Sequence, residues 1–203
     1  MPIESIAAFW VVSIALALTP GADWAFAIAA GLSGRFVPPA VIGLLLGHAL
    51  HGAIVATGVG ALLSGQPGIL MALTLAGACY LLWLGVSTLR RPPVPRADAD
   101  QRSGTGISWM VRGLGISGLN PKVFLLFLAL LPQFTHVGAG LSLTAQIALL
   151  AAVHIATCAI VYFAVGFGAR AVLRTRPTAA RIVSRISGVA MIVIGLFLLV
   201  EQL

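Results

Sequence analysis

Charge is what this sequence has least of. Charged residues fill 8% of its 203 positions, where a soluble domain carries about 25%. So little charge cannot cover a water-facing surface, which excludes a soluble globule. Lysine occurs once, at Lys122. The two cysteines, Cys79 and Cys158, sit in apolar runs without ligand-type neighbours, and both read as small core hydrophobes. That pattern predicts no metal site and no cofactor. HExxH and GxSxG motifs are absent, and a nucleophile with its base is not discernible, so the chain does not read as an enzyme. No RNA-binding or zinc-finger signature accompanies the net charge of +7, which excludes nucleic acid as a partner. No basic segment precedes the first apolar run, only Glu4, so the N-terminus reads as mature structure rather than a signal peptide.

What is present is apolar. Hydrophobic residues make up 60% of the chain, and mean hydropathy is +1.07. A bilayer span needs about 20 such residues. Six candidates emerge, at 5–32, 39–63, 68–89, 107–131, 143–167 and 182–200, separated by Gly- and Pro-rich breaks. The reading is one all-α transmembrane domain over 1–203. Its first half is 1–90, a Pro- and Arg-rich cytoplasmic linker covers 91–105, and its second half is 106–203.

Arginine sorts to one side of this plan. Arg35 follows the first span, Arg90, Arg91, Arg96, Arg102 and Arg112 surround the linker, and Arg170, Arg174, Arg176, Arg181 and Arg185 lie between spans five and six. The loops after spans two and four carry neither Arg nor Lys. Positive residues mark the cytoplasmic side, so both termini are expected in the periplasm.

The halves echo each other. "ALTPGADW" in span one answers "GLNPKVF" in span four, "GHALHGA" answers "AVHIATC", and "AGACYLLWLGVSTL" answers "SGVAMIVIGLFLL". Three spans per half give the second copy the opposite orientation, which is the inverted-repeat plan of many secondary transporters.

Within span one, "LALTPGADWAFAIA" raises a physical question, because it places Asp23 among apolar residues. An ionised group at membrane depth costs roughly 3 kcal/mol on insertion scales and about 10 in simulations. The prolines supply a reason to tolerate it. A residue before proline leaves the α region, and proline fits the first helical position. Thr19-Pro20 and Asn120-Pro121 therefore read as N-cap and first helical residue, with spans one and four broken there. Each restart offers free N–H groups and a positive dipole end to an anion. Gly21 permits close backbone approach. Lys122 adds a charge at one break and Asp23 offsets it at the other, as an ion pair or with Asp23 protonated. The plain alternative makes Asp23 a cap of its own helix and lets Lys122 snorkel to the membrane edge. The recurrence of both charges at repeat-related breaks favours a site. Its candidate substrate-binding residues are Thr19, Pro20, Gly21, Asp23, Asn120, Pro121 and Lys122.

His48 and His51 share a face of span two, and His154 lies at the matching depth of span five. Interhelical hydrogen bonding is their plain reading. A proton relay is the functional one, with Asp23, His51 and His154 as candidates. Gly43 and Gly47 form a GxxxG pair, the signature of a tight helix-packing face.

At these residues the sequence resembles the LysE/RhtB family of bacterial amino-acid exporters over nearly its whole length. The likeness rests on "ALTPGADW", "GLLLGHALH", "AGACYLLWLGVSTLR", "GLNPKVFLLFLALLPQF" and "SGVAMIVIGLFLL". The family pattern reads Thr-Pro-Gly-Pro-Asp, and Ala22 stands where the second proline is expected. The resemblance implies an inner-membrane exporter of amino acids or close derivatives, driven by proton antiport. Its partners are a small-molecule substrate, protons and the bilayer, with a homo-oligomer allowed. An inorganic cation exporter is the alternative, though it would want more intramembrane ligands.

Overall fold

The computed structural model describes residues 1–63, 104–136, 138 and 140–172, with scattered helical positions between 75 and 90 and between 182 and 200; side chains at 59–63, 121, 122 and 170–172 fall outside the description. Helix α1 spans Ile3–Ala17, α2 Ala22–Ser33, α3 Val37–Leu63, α4 Gly106–Gly118 and α5 Pro121–Leu130. A 3-10 turn at Leu131–Phe134 follows, and α6 runs over Leu143–Val172. No strand occurs among the described residues. The expected spans at 68–89 and 182–200 and the linker at 91–105 lie largely outside them, and with them the six-span inverted repeat.

Two helical stretches, Val37–Gly58 and Leu143–Ala169, are long and apolar enough to cross a bilayer unbroken. Two bent pairs bring the number to as many as four: α1 with α2 at 61°, and α4 with the α5 segment at 53°. Along α3, Ile42, Leu46, Leu50 and Ile54 recur every fourth residue and stay exposed. That spacing keeps them on one face. Such a stripe faces lipid in a chain where lipid replaces water. The opposite face of α3 carries Ala40, Val41, Leu44, His48, His51 and Val55, all buried.

Glycine sets how closely the helices approach. A Cβ at Gly113 of α4 would meet the Ala40 carbonyl of α3 at 2.6 Å, and one at Gly43 would run into the Met110 carbonyl. A Cβ at Gly31 of α2 would likewise strike the Gly166 carbonyl of α6. Small residues let backbones touch in this way, and packing then holds helices together without a hydrophobic drive. The GxxxG pair is thus the packing face its spacing announced. Between 75–90 and 182–200, a Cβ at Gly85 would meet the Gly188 carbonyl at 2.7 Å, so these stretches pack on each other too.

The core divides into two apolar clusters. One gathers Phe9, Val12, Leu16, Val55, Phe127, Leu130, Ile147 and Leu150. The other gathers Phe26, Phe36, Val37, Leu44, Trp109, Cys158 and Tyr162. Trp109 is fully buried between the rings of Phe26 and Phe36, at 5.1 and 5.5 Å. Gln146, also fully buried, clamps the chain ahead of α6 through bonds to His136 and to the Leu141 carbonyl. Alongside these apolar clusters the interior holds Ser13, Thr19, Asp23, His48, His51, Ser117, His154 and Thr157, a buried polar set in a chain otherwise short of polarity.

Candidate functional site

The breaks bring that polar set together. Helix α1 ends at Ala17, and after four intervening residues α2 begins at Ala22, with Gly21 as its N-cap. Thr19-Pro20 was expected as N-cap and first helical residue, and here the structure differs. The Thr19 hydroxyl donates back to the Ala15 carbonyl at 2.9 Å, satisfying the end of α1 rather than the start of α2. The Trp24 indole N–H spans the break to the Ala17 carbonyl at 2.8 Å. Two orphan carbonyls of α1 thereby find partners, as buried helix ends require. At the second break the expectation matches: α5 begins at Pro121, and the N–H groups of Val123 and Phe124 bond the Asn120 carbonyl.

A cavity of about 40 Å³ lies where the breaks meet, lined by Thr19, Gly21, Ala22, Asp23 and Trp24 from one side and Asn120 and Val123 from the other. His48, His154 and Tyr162 close it. Asp23, 5% exposed, occupies the first turn of α2. Its Oδ2 accepts from the Tyr162 hydroxyl at 3.1 Å and lies 3.7 Å from His48 Nε2, while Oδ1 has no hydrogen-bond partner. The side chain of Lys122, and with it the expected Asp23–Lys122 pair, lies outside the described residues.

The orientation of His48 follows from its neighbours. Its Nδ1 is 3.0 Å from the Leu44 carbonyl, which can only accept, and 2.8 Å from Ser117 Oγ. Nδ1 therefore carries the proton and Nε2 offers a lone pair. That lone pair faces a carboxylate oxygen, so the contact is attractive only when a proton resides on one of the two. His154 mirrors the arrangement from α6. Its Nδ1 contacts Ser13 Oγ at 2.8 Å and its Nε2 contacts Cys158 Sγ at 3.4 Å. The rings of His48 and His154 are 5.6 Å apart. His51 does not line the cavity. It packs near Phe124 and Phe127, at 5.5 and 6.3 Å between centroids, with Nδ1 unpartnered.

Two expectations about cysteine change. Cys79 is exposed on the helix surface rather than in the core. Cys158 is buried, but it does have ligand-type neighbours: its Sγ and a ring nitrogen from each of His48 and His154 all lie within 4.8 Å of one another. The linear sequence hid this because His48 belongs to another helix. Tyr162 was missed as well. The spacing His154, Cys158, Tyr162 places all three on one face of α6, a line of polar groups that helical periodicity could have revealed.

Broken helices meeting around a buried carboxylate define a helical membrane protein of the transporter type. The chain belongs to the LysE type translocator family, which it matches over residues 14–202. Among curated relatives, it is 30% identical over 136 residues to an uncharacterized membrane protein of Vibrio cholerae, covering 66% of each chain. It is 37% identical over 110 residues to the chemotactic transduction protein ChpE of Pseudomonas aeruginosa, covering 52% of each. A second membrane protein of P. aeruginosa, uncharacterized, is 31% identical over 148 residues, covering 68% of each. The chain thus spans between about half and two thirds of the length of these relatives. No solved structure matches it.

Proposed function

We propose that this translocator exports amino acids or close derivatives across the bacterial inner membrane in exchange for protons, with both termini periplasmic. One observation carries the reading: a buried carboxylate in the first turn of a half-helix lines the same cavity as Asn120 from the other break. A zwitterion suits such a place. Its ammonium pairs with Asp23, and its carboxylate takes the free N–H groups and dipole of a half-helix start. Lys122, the second residue of α5, adds a positive charge to that end.

An amino acid enters when the half-helices part. The non-helical residues between α1 and α2 supply the hinge. The proton has a natural place between Asp23 and His48, where the facing oxygen and nitrogen need one. A substrate amine at Asp23 would displace that proton, which is the exchange an antiporter requires.

The test is a substrate screen. Cells producing the protein are fed dipeptides, and the medium is followed for the amino acid that accumulates faster than in cells lacking it. No difference for any amino acid or derivative would overturn the reading. Cysteine labelling from outside at positions 2 and 96 tests orientation: position 2 should react and 96 should be protected.

A further inference from the structure

We infer that His48, His154, Cys158 and Asp23 form a binding site for one thiophilic metal ion, of which Zn²⁺ is the convenient probe, and that the bound ion clamps the translocator shut. Three of the four donor atoms are already gathered. Cys158 Sγ and a ring nitrogen of each histidine lie within 4.8 Å of one another. Zinc holds N and S ligands at about 2.0–2.3 Å, so neighbouring donors in a tetrahedron stand roughly 3.5 Å apart. Two edges of such a tetrahedron are present, His154 Nε2 to Cys158 Sγ at 3.4 Å and His48 Nε2 to Asp23 Oδ2 at 3.7 Å. Asp23 lies outside the gathered group of three, and its Oδ2 has to exchange the Tyr162 hydroxyl for the ion to become the fourth ligand.

Independent features point the same way. Each histidine has its Nδ1 engaged, His48 by the Leu44 carbonyl and Ser117, His154 by Ser13. Metal-bound histidines are held like this, with the far nitrogen committed so that the near lone pair is aimed. Asp23 Oδ1 is buried without a partner beside them.

The charges balance. Zn²⁺ displaces the Cys158 thiol proton, which leaves to water, and the thiolate and Asp23 carboxylate together neutralise the ion. A neutral complex is what a low-dielectric interior accepts most readily. Thiolate and imidazole donors select zinc, cadmium or Cu(I) over magnesium or calcium. All four positions are filled by protein, which is the closed form of site that retains its ion. The ligands come from α2, α3 and α6, so the bound ion ties this half-helix to both long helices. The ion would occupy Asp23 and His48 of the proposed export site, so the clamp rests on that reading, while the metal site itself does not.

The experiment uses the purified full chain in detergent, with Cys79→Ser as background to remove the exposed thiol. Wild-type ligands should bind one Zn²⁺, and Co²⁺ in its place should show a thiolate-to-metal charge-transfer band. Cys158→Ser should abolish the band and lower zinc affinity at least tenfold. Ser13→Ala, which touches no donor atom directly, should weaken binding about tenfold through His154. Zinc should also slow hydrogen exchange over residues 22–33. Zinc bound equally well by Cys158→Ser, or a cobalt spectrum without the band, would overturn the site. One-to-one binding with unchanged exchange in α2, or zinc carried into proteoliposomes, would overturn the clamp. None of these readouts needs amino-acid export, and a chelator-treated export assay judges that reading on its own.

Discussion

The two breaks start from the same chemistry and end differently. Both place a proline at or just ahead of the restart of a half-helix, and both bend the chain, by 61° and 53°. At the second, Pro121 is the first residue of α5, and only Leu119 and Asn120 separate the helices. Their N–H groups bond back to Gly115 and Ser117, so the backbone seals itself. At the first, Pro20 lies two residues ahead of α2, and Leu18 to Gly21 separate the helices. There side chains help close the gap, Thr19 onto Ala15 and Trp24 onto Ala17. A proline inside the new helix makes a narrow kink, whereas a proline ahead of it makes a wider opening. Only the wider opening carries a buried carboxylate.

The largest expected effect tests that asymmetry directly. Asp23→Asn should stop export from vesicles with an imposed proton gradient while leaving the protein folded in the membrane. Asn120→Ala, which removes the side chain that the other break contributes to the same cavity, should slow export without stopping it. Equal losses would make the breaks functionally equivalent, and wild-type export by Asp23→Asn would reduce the carboxylate to a helix cap.

A smaller effect separates the two prolines. Pro121→Ala restores an N–H and frees Asn120 from its non-helical restriction, so the two-residue gap can close toward a continuous helix. Pro20→Ala should change little, because four residues and two side-chain bonds keep that break open. Distances between spin labels on the α4 and α5 sides should lengthen in Pro121→Ala, and those across α1 and α2 should not in Pro20→Ala. The reverse pattern would mean that proline position does not set the width of a break.

Much of this was legible in the sequence because it depends on local rules. The Pro-based breaks, the Gly43/Gly47 packing face, the start of α6 at residue 143 and the membrane class all follow from spacing and composition. What escaped were relations between helices. Nothing in "GHALHGA" says that His48 rather than His51 faces the cavity, since both lie within one turn. That choice is made by how α3 packs on α4, where Ser117 takes the His48 ring. Cys158 looked inert for the same reason: its neighbour on α3 is more than a hundred residues away in the chain. The N-cap at the first break was misplaced because Thr19 had two bonding options, and its hydroxyl serves the helix behind it.

Trp24→Phe should have a more modest consequence. It removes a side-chain bond that reaches from α2 across to α1, a loss of about 0.5–1.5 kcal/mol. The ring still fills its space, so thermal unfolding in detergent should shift down slightly. Hydrogen exchange should rise at residues 15–21 and stay constant at 117–121. Increased exchange at both breaks would show that they are mechanically coupled rather than separately sealed.

The smallest effect concerns Ala22, the residue that departs from the family pattern Thr-Pro-Gly-Pro-Asp. Ala22 is the first residue of α2, where proline is at home because its missing N–H has no intrahelical partner to lose. The residue before a proline must be extended, and Gly21 already is, at φ −168° and ψ −158°. No backbone bond from the Ala22 N–H occurs among the described turn and cap bonds. Ala22→Pro should therefore fit without strain and stabilise by about 0.4–1 kcal/mol, chiefly by restricting the unfolded chain. It also gives the first break the feature that seals the second, a proline at the opening residue of the helix. If rigidity at that residue is what narrows a break, export should slow as stability rises. If the width is set by Thr19 and Trp24, stability should rise with export unchanged. A fall in stability would show that the Ala22 N–H does bond within the site, and that the start of α2 is held differently from the start of α5.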